Sequence, residues 1–155
     1  MHSHSAAFPN LQVDVCAAVD EKDAKLPVRV GGRQRHDASH CLAGDEDPQG
    51  EAPFLEQARK IRKYGAAVIV MLVHEGAPTT DCAAIGNLAD DTDFGSIVQG
   101  VDSSVHAIIS GHTHLAYDCL IAPADAPLQP RPVVSAGQYG LNINRLTFTV
   151  DADGQ

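Results

Sequence analysis

The order of apolar and polar positions divides the chain into a nearly patternless first third and a patterned remainder. The clear pattern begins at Phe54. Phe54, Ala58, Ile61 and Gly65 recur at i, i+4, i+7 and i+11, one face of a helix. Lys60, Arg62 and Lys63 fall in its last turn, where cations oppose the negative end of the helix dipole. Gly65 suits the left-handed position that ends a helix. Ala66 to Val73 is a continuous apolar run of strand length, the pattern of a strand buried on both faces of a parallel or mixed sheet. A loop over Gly76 to Asn87 leads to a short helix over about Thr92 to Gln99, capped by Asp90 and Asp91. Val105 to Ser110 predicts a second buried strand and Ala116 to Ala122 a further one. Pro123 to Pro132, with four prolines in ten residues, is a loop. Pro132 to Ser135 is a short strand, and Ala136 to Gly140 is a turn. Leu141 to Val150 alternates with a slip near Arg145, which reads as a bulge. Asp151 to Gly154 has the composition of a hairpin turn.

Ahead of Pro53 the signal is weaker. Leu11 to Val15 alternates briefly, and Leu26 to Val30 is a second candidate strand that Pro27 assigns to an edge or a loop. Gly31 to Pro53 is polar and aperiodic, and such a run buries too little surface to offset its ordering entropy. The expected organisation is a poorly ordered or unrelated segment over residues 1–53 and an α/β unit over residues 54–155.

Composition narrows this picture. A chain of 155 residues is the size of one ordinary domain. Its 44% hydrophobic content supports a core, and 5% aromatic content with no Trp leaves Val, Ile, Leu and Ala to fill it. A net charge of -9 disfavours nucleic acid and anionic membrane as partners, because both need clustered Lys and Arg. No apolar run is long enough to predict a transmembrane helix. Met1 to Ser5 lacks the basic and apolar regions of a signal peptide. Cys16, Cys41, Cys82 and Cys119 form no C-x-x-C pair, so neither a zinc ribbon nor a thioredoxin-type site is expected.

Candidate chemistry gathers at strand ends. His74-Glu75-Gly76 follows the first apolar run, and Gly111-His112-Thr113-His114 follows the second. Ligands of α/β sheets gather at the carboxyl ends of strands. Three imidazoles from neighbouring strand ends can converge, and neutral imidazole ligates zinc, manganese and iron. Tyr139, between Gly137 and Gly140, is expected to pack against the sheet. His2, His4, His36, His40 and Asp45 match no compact ligand spacing and read as a solvated tail.

Leu72-Val73-His74-Glu75-Gly76 followed by Ile108-Ile109-Ser110-Gly111-His112-Thr113-His114 resembles the later half of the calcineurin-like metallophosphoesterases. The branch it most resembles is the bacterial 5′-nucleotidase/UDP-sugar hydrolases. Phe54-Leu55-Glu56, Ala116-Tyr117-Asp118-Cys119 and Val133 to Gly140 add to the likeness, which spans residues 53–155. The resemblance implies a four-layer α/β/β/α sandwich with a dinuclear metal site. It implies that His74 and His112 ligate one metal and His114 the other. The cofactors implied are divalent ions: zinc, manganese, magnesium or iron. The implied substrate is a nucleotide or another small phosphate ester.

The family's earlier motifs are missing from the sequence: an Asp-x-His, a Gly-Asp with the bridging aspartate, and a Gly-Asn-His. Gly44-Asp45 is a chance match to the second. The expectation is therefore a partial phosphoesterase domain with little or no activity alone. A non-catalytic remnant that binds a metal or a partner is the alternative, and a second chain would then cover its exposed sheet. A third reading is a zinc module whose fourth ligand comes from Cys82, Cys119 or Glu75. Relatives of this branch are often periplasmic or exported. In an exported protein Cys82 and Cys119 would form a disulfide, and in a cytosolic one they would remain two thiols.

Overall fold

The computed structural model describes residues 11–17, 52–63 and 66–150. The strand expected over 26–30, the polar run that follows it, the four N-terminal histidines and the turn over 151–154 lie outside the described residues. The described chain is mixed α/β, with a four-stranded mixed sheet and few helices.

Three parallel strands form the frame. β2 (Val70–Leu72) pairs in parallel with β3 (Ala107–Ile109), and β3 pairs in parallel with β5 (Arg131–Ala136). β4 (Ala116–Ile121) lies antiparallel to β5 at the far edge, giving the order β2-β3-β5-β4. A separate pair, β1 (Leu11–Ala17) and β6 (Asn144–Val150), runs antiparallel in unbroken register from Leu11 opposite Val150 to Ala17 opposite Asn144.

Register decides which side chains share a face. Met71, Ile108, Val133 and Cys119 are cross-strand partners on one face of the four-stranded sheet. They join a core with Ala58 of α1 (Ala52–Lys63), Ile85 of α2 (Cys82–Gly86), and Phe94 and Val98 of α3 (Asp93–Gly100). The opposite face carries Val70, Ala107, Ile109 and Val134, which pack with Leu146 and Phe148 of β6. The molecule is thus layered helix, sheet, sheet. β3 is buried along its whole length on both faces, as its unbroken Ala-Ile-Ile predicts.

Several expectations need correcting. The run Ala66 to Val73 yields a ladder of three residues, and among the described residues β2 stands at the edge of the sheet with Leu72 exposed, rather than buried on both faces. Leu72 is 43% exposed, while Val70 on the same face packs with the cluster that includes Leu146. Residues 66–69 are instead held by single contacts: the Arg62 guanidinium donates to Ala67 O at 3.0 Å, and Ile69 O accepts from His106 N at 2.8 Å. The slip near Arg145 is not a bulge. Leu141 and Ile143 precede β6 and are exposed, while Leu146 and Val150 point inward in regular alternation. The short alternating stretch from Leu11 to Val15 is a strand, β1, which pairs along its length with β6.

Helix starts depend on side-chain caps. Thr92, rather than Asp90 or Asp91, caps α3, its Oγ1 accepting from Gly95 N at 3.1 Å. The stretch read as a loop contains α2, whose cap Asp81 accepts from Ala83 N at 2.9 Å. A disulfide from Cys82 to Cys119 ties the start of α2 to β4.

The amino ends of the parallel strands are locked by a buried cation. Arg131, 4% exposed, donates to Val101 O at 2.6 Å, Asp102 O at 2.7 Å and Val98 O at 3.3 Å. It thereby satisfies carbonyls at the end of α3, which a helix terminus otherwise leaves unpaired. Burial lowers the Arg131 pKa, and the carboxylates of Asp125 and Asp102 oppose that shift.

Candidate functional site

At the opposite, carboxyl ends of β2, β3 and β5, three loops lie side by side: 74–77, 110–114 and 137–140. The first two are stitched together by backbone. Val73 N donates to Ile109 O at 2.9 Å, and Gly111 N donates to Glu75 O at 3.0 Å. Gly76 permits this approach, since a Cβ there would collide with the Gly111 carbonyl. Ser110 N donates to Val134 O at 2.9 Å and joins β5 to the same edge.

The histidines are placed unequally. His74 and His112 are both exposed, and their rings meet edge-on, 5.3 Å between centroids at an interplanar angle of 75°. His114 is exposed too, but its ring stands 6.2 Å from that of Tyr139. The structure therefore brings two of the three together and turns the third toward another loop. Among the described residues, no three His, Cys, Asp or Glu side chains group in a way that could hold a metal. With Cys82 and Cys119 joined, neither offers a thiolate.

Backbone conformation marks this loop. His112 (φ 63°) and His114 (φ 62°) both lie in the left-handed region, flanking Thr113. That region costs an L-residue on the order of 1–2 kcal/mol, so two such residues in three are held there by the surrounding fold. The Thr113 Oγ1 between them is buried without a hydrogen-bond partner. Strain and an unsatisfied polar group concentrated at one loop are features that cluster at functional sites. Tyr139 (φ 57°) is also left-handed and is 66% exposed, so it does not pack against the sheet as its place in the sequence suggests. Gly137 and Gly140, both at positive φ, form a turn that swings it outward.

Two contributors were not visible as site residues in the sequence. Ser110 is 2% exposed and Tyr117 5% exposed, and their hydroxyls meet at 2.6 Å under the two stitched loops. The parity of β4 is the signal that points to Tyr117, because Tyr117, Cys119 and Ile121 are its inward positions. Burial pushes the Tyr117 phenol pKa up, while its hydrogen bonds to Ser110 and Ala77 oppose the shift.

The mixed α/β class with exposed histidines at the carboxyl edge of a parallel core is as far as geometry defines the protein. No family model matches the chain, and neither a curated protein nor a solved structure matches it.

Proposed function

We propose that the chain carries the later half of a calcineurin-like metallophosphoesterase domain of the 5′-nucleotidase/UDP-sugar hydrolase type. One observation supports this reading above the others. The His74 and His112 rings are neighbours at 5.3 Å, while His114 faces Tyr139. That division agrees with the resemblance, in which the first two ligate one metal and the last ligates a second. The helix, sheet, sheet layering accords with three of the four layers of the family's sandwich. The donor set is imidazole, which suits zinc, manganese or iron better than magnesium. It fills part of each shell and leaves room for carboxylates from elsewhere. A dinuclear centre supplies a metal-activated water and neutralises phosphoryl oxygens during in-line attack. The protein's own part here is to hold two imidazoles at fixed separation on two stitched loops.

With the bridging aspartate and the other early motifs missing, the chain alone hydrolyses a phosphate ester such as AMP poorly or not at all. The test is phosphate release from AMP with manganese or zinc, beside a His112→Ala/His114→Ala variant. Little or no difference between the two is expected. Fast metal-dependent turnover that disappears in the variant would show that ligands from residues 1–53 complete the site.

A second reading has its own observation. On the sheet face that β6 covers, the flanks stay open: Leu72 is 43% and Leu120 68% exposed. This favours a remnant that docks a partner chain over that face. Sedimentation velocity separates the cases, since a clean monomer across the micromolar range argues against self-association through those flanks.

A further inference from the structure

We propose that Tyr117 and Ser110 are positioning residues that set the separation of His74 and His112. The inference rests on the carboxyl-edge histidines being the working site, as proposed above. The hydrogen bonds of Tyr117 and Ser110 run in one direction. Ser110 Oγ donates its only proton to Val134 O at 2.8 Å. At the 2.6 Å contact between the hydroxyls, Tyr117 must therefore be the donor and Ser110 Oγ the acceptor. The Tyr117 oxygen in turn accepts from Ala77 N at 3.1 Å. The chain of bonds runs from Ala77 to Tyr117 to Ser110 to Val134, and every member is buried.

Its ends fall where they matter. Ala77 lies three residues after His74, and Ser110 two residues before His112. The Val73–Ile109 and Gly111–Glu75 backbone bonds join the ends of β2 and β3, and the Tyr117 hydroxyl adds a tie from a third strand, β4, between Ala77 and Ser110. A tie from a third element fixes an orientation that bonds between two strand ends leave freer to twist. A fully satisfied buried network of this kind is rigid, and outer contacts that orient ligating histidines change metal affinity by about 10–100-fold. The Tyr117 ring has a separate packing role against Phe94, at 6.4 Å between centroids, which phenylalanine preserves.

The experiment uses the full chain with zinc alone as probe. Tyr117→Phe removes the hydroxyl and keeps the ring, Ser110→Ala breaks the same chain at its other member, and Val98→Ala weakens the shared core away from it. Zinc affinity is read by calorimetry. Amide exchange at Ala77 and Gly111 and ring–ring NOEs between His74 and His112 are read without metal. The expected result is weaker zinc binding, by about tenfold or more, in Tyr117→Phe and Ser110→Ala but not in Val98→Ala. Faster exchange at both amides accompanies it. Unchanged amide protection and NOEs in both hydroxyl variants would overturn the proposal. So would equal zinc loss in Val98→Ala. Should Tyr117→Phe fail to fold, Ser110→Ala carries the test. A wild-type chain that binds no zinc defeats the functional reading instead, and the metal-free exchange and NOE comparison still decides whether the hydroxyls position the loops.

Discussion

The two ends of the parallel strands are built on opposite terms. At the amino end, Arg131 is buried, and its guanidinium donates to the carbonyls that end α3, with its Nε left unpaired. His106 beside it is half-buried, and its Nδ1 accepts from Ile69 N at 3.0 Å. At the carboxyl end, His74, His112, His114 and Tyr139 are all exposed, three of the four in the left-handed region, with a buried hydroxyl left unpaired among them. One end is arranged for stability and the other holds costly conformations in place. The costly end is where ligand chemistry is to be sought, because a fold that gained nothing from such strain would lose it to substitution.

The comparison breaks most visibly if Arg131 is replaced. Arg131→Met leaves the carbonyls of Val98, Val101 and Asp102 buried without donors, at a cost of about 1–3 kcal/mol for each unsatisfied group. Urea unfolding should show a loss of more than about 3 kcal/mol. A loss near zero would mean that the amino end is not the stabilising one. The disulfide lies between the two ends. Closing a loop of 37 residues, it contributes about 4 kcal/mol on the chain-entropy estimate, and Cys82→Ser/Cys119→Ser should lower the thermal midpoint accordingly.

Glycine at the strained positions should have the opposite sign to the Arg131 change. His112→Gly/His114→Gly relieves two left-handed residues, offset in part by greater freedom of the unfolded chain. Stability should hold or rise by up to about 1 kcal/mol, and a loss of several kcal/mol would show that the loop is not strained.

The smallest effect is at His106. Burial, then the neighbouring Arg62 guanidinium, lowers its pKa below the ordinary 6.5. The unfolded chain therefore binds a proton that the folded chain refuses between that lowered value and 6.5. The stabilisation is whole above pH 6.5 and is lost as pH falls through the folded value. His106→Gln should flatten the slope of unfolding free energy against pH in that window.

How much of this was legible follows from which physics reads locally. β3 announced itself because Ala107, Ile108 and Ile109 have no polar neighbour to give them a wet face. β4 was legible as a strand and β6 by alternation, the basic last turn of α1 by charge, and the histidine pair by its position after an apolar run. The place of β2 at the edge of the described sheet was not, because Val70 to Leu72 is as apolar as a central strand. Helix α2 has five residues and too few apolar positions to show a period, although Asp81 was a readable cap. Arg131 sits in a proline-rich run that gives no hint of burial, since its partners come from a helix 30 residues away. The left-handed histidines were equally hidden, because φ is imposed by the stitched loops rather than by the side chain.

The central claim is that His74 and His112 act as a pair and His114 stands apart. It is tested most directly by titrating zinc into the full chain and its His74→Ala, His112→Ala and His114→Ala variants by calorimetry. The account predicts one weak site in the wild type that His74→Ala and His112→Ala each abolish and His114→Ala leaves largely intact. Equal binding by all four proteins would place the zinc on other residues and remove the pair from the proposed function.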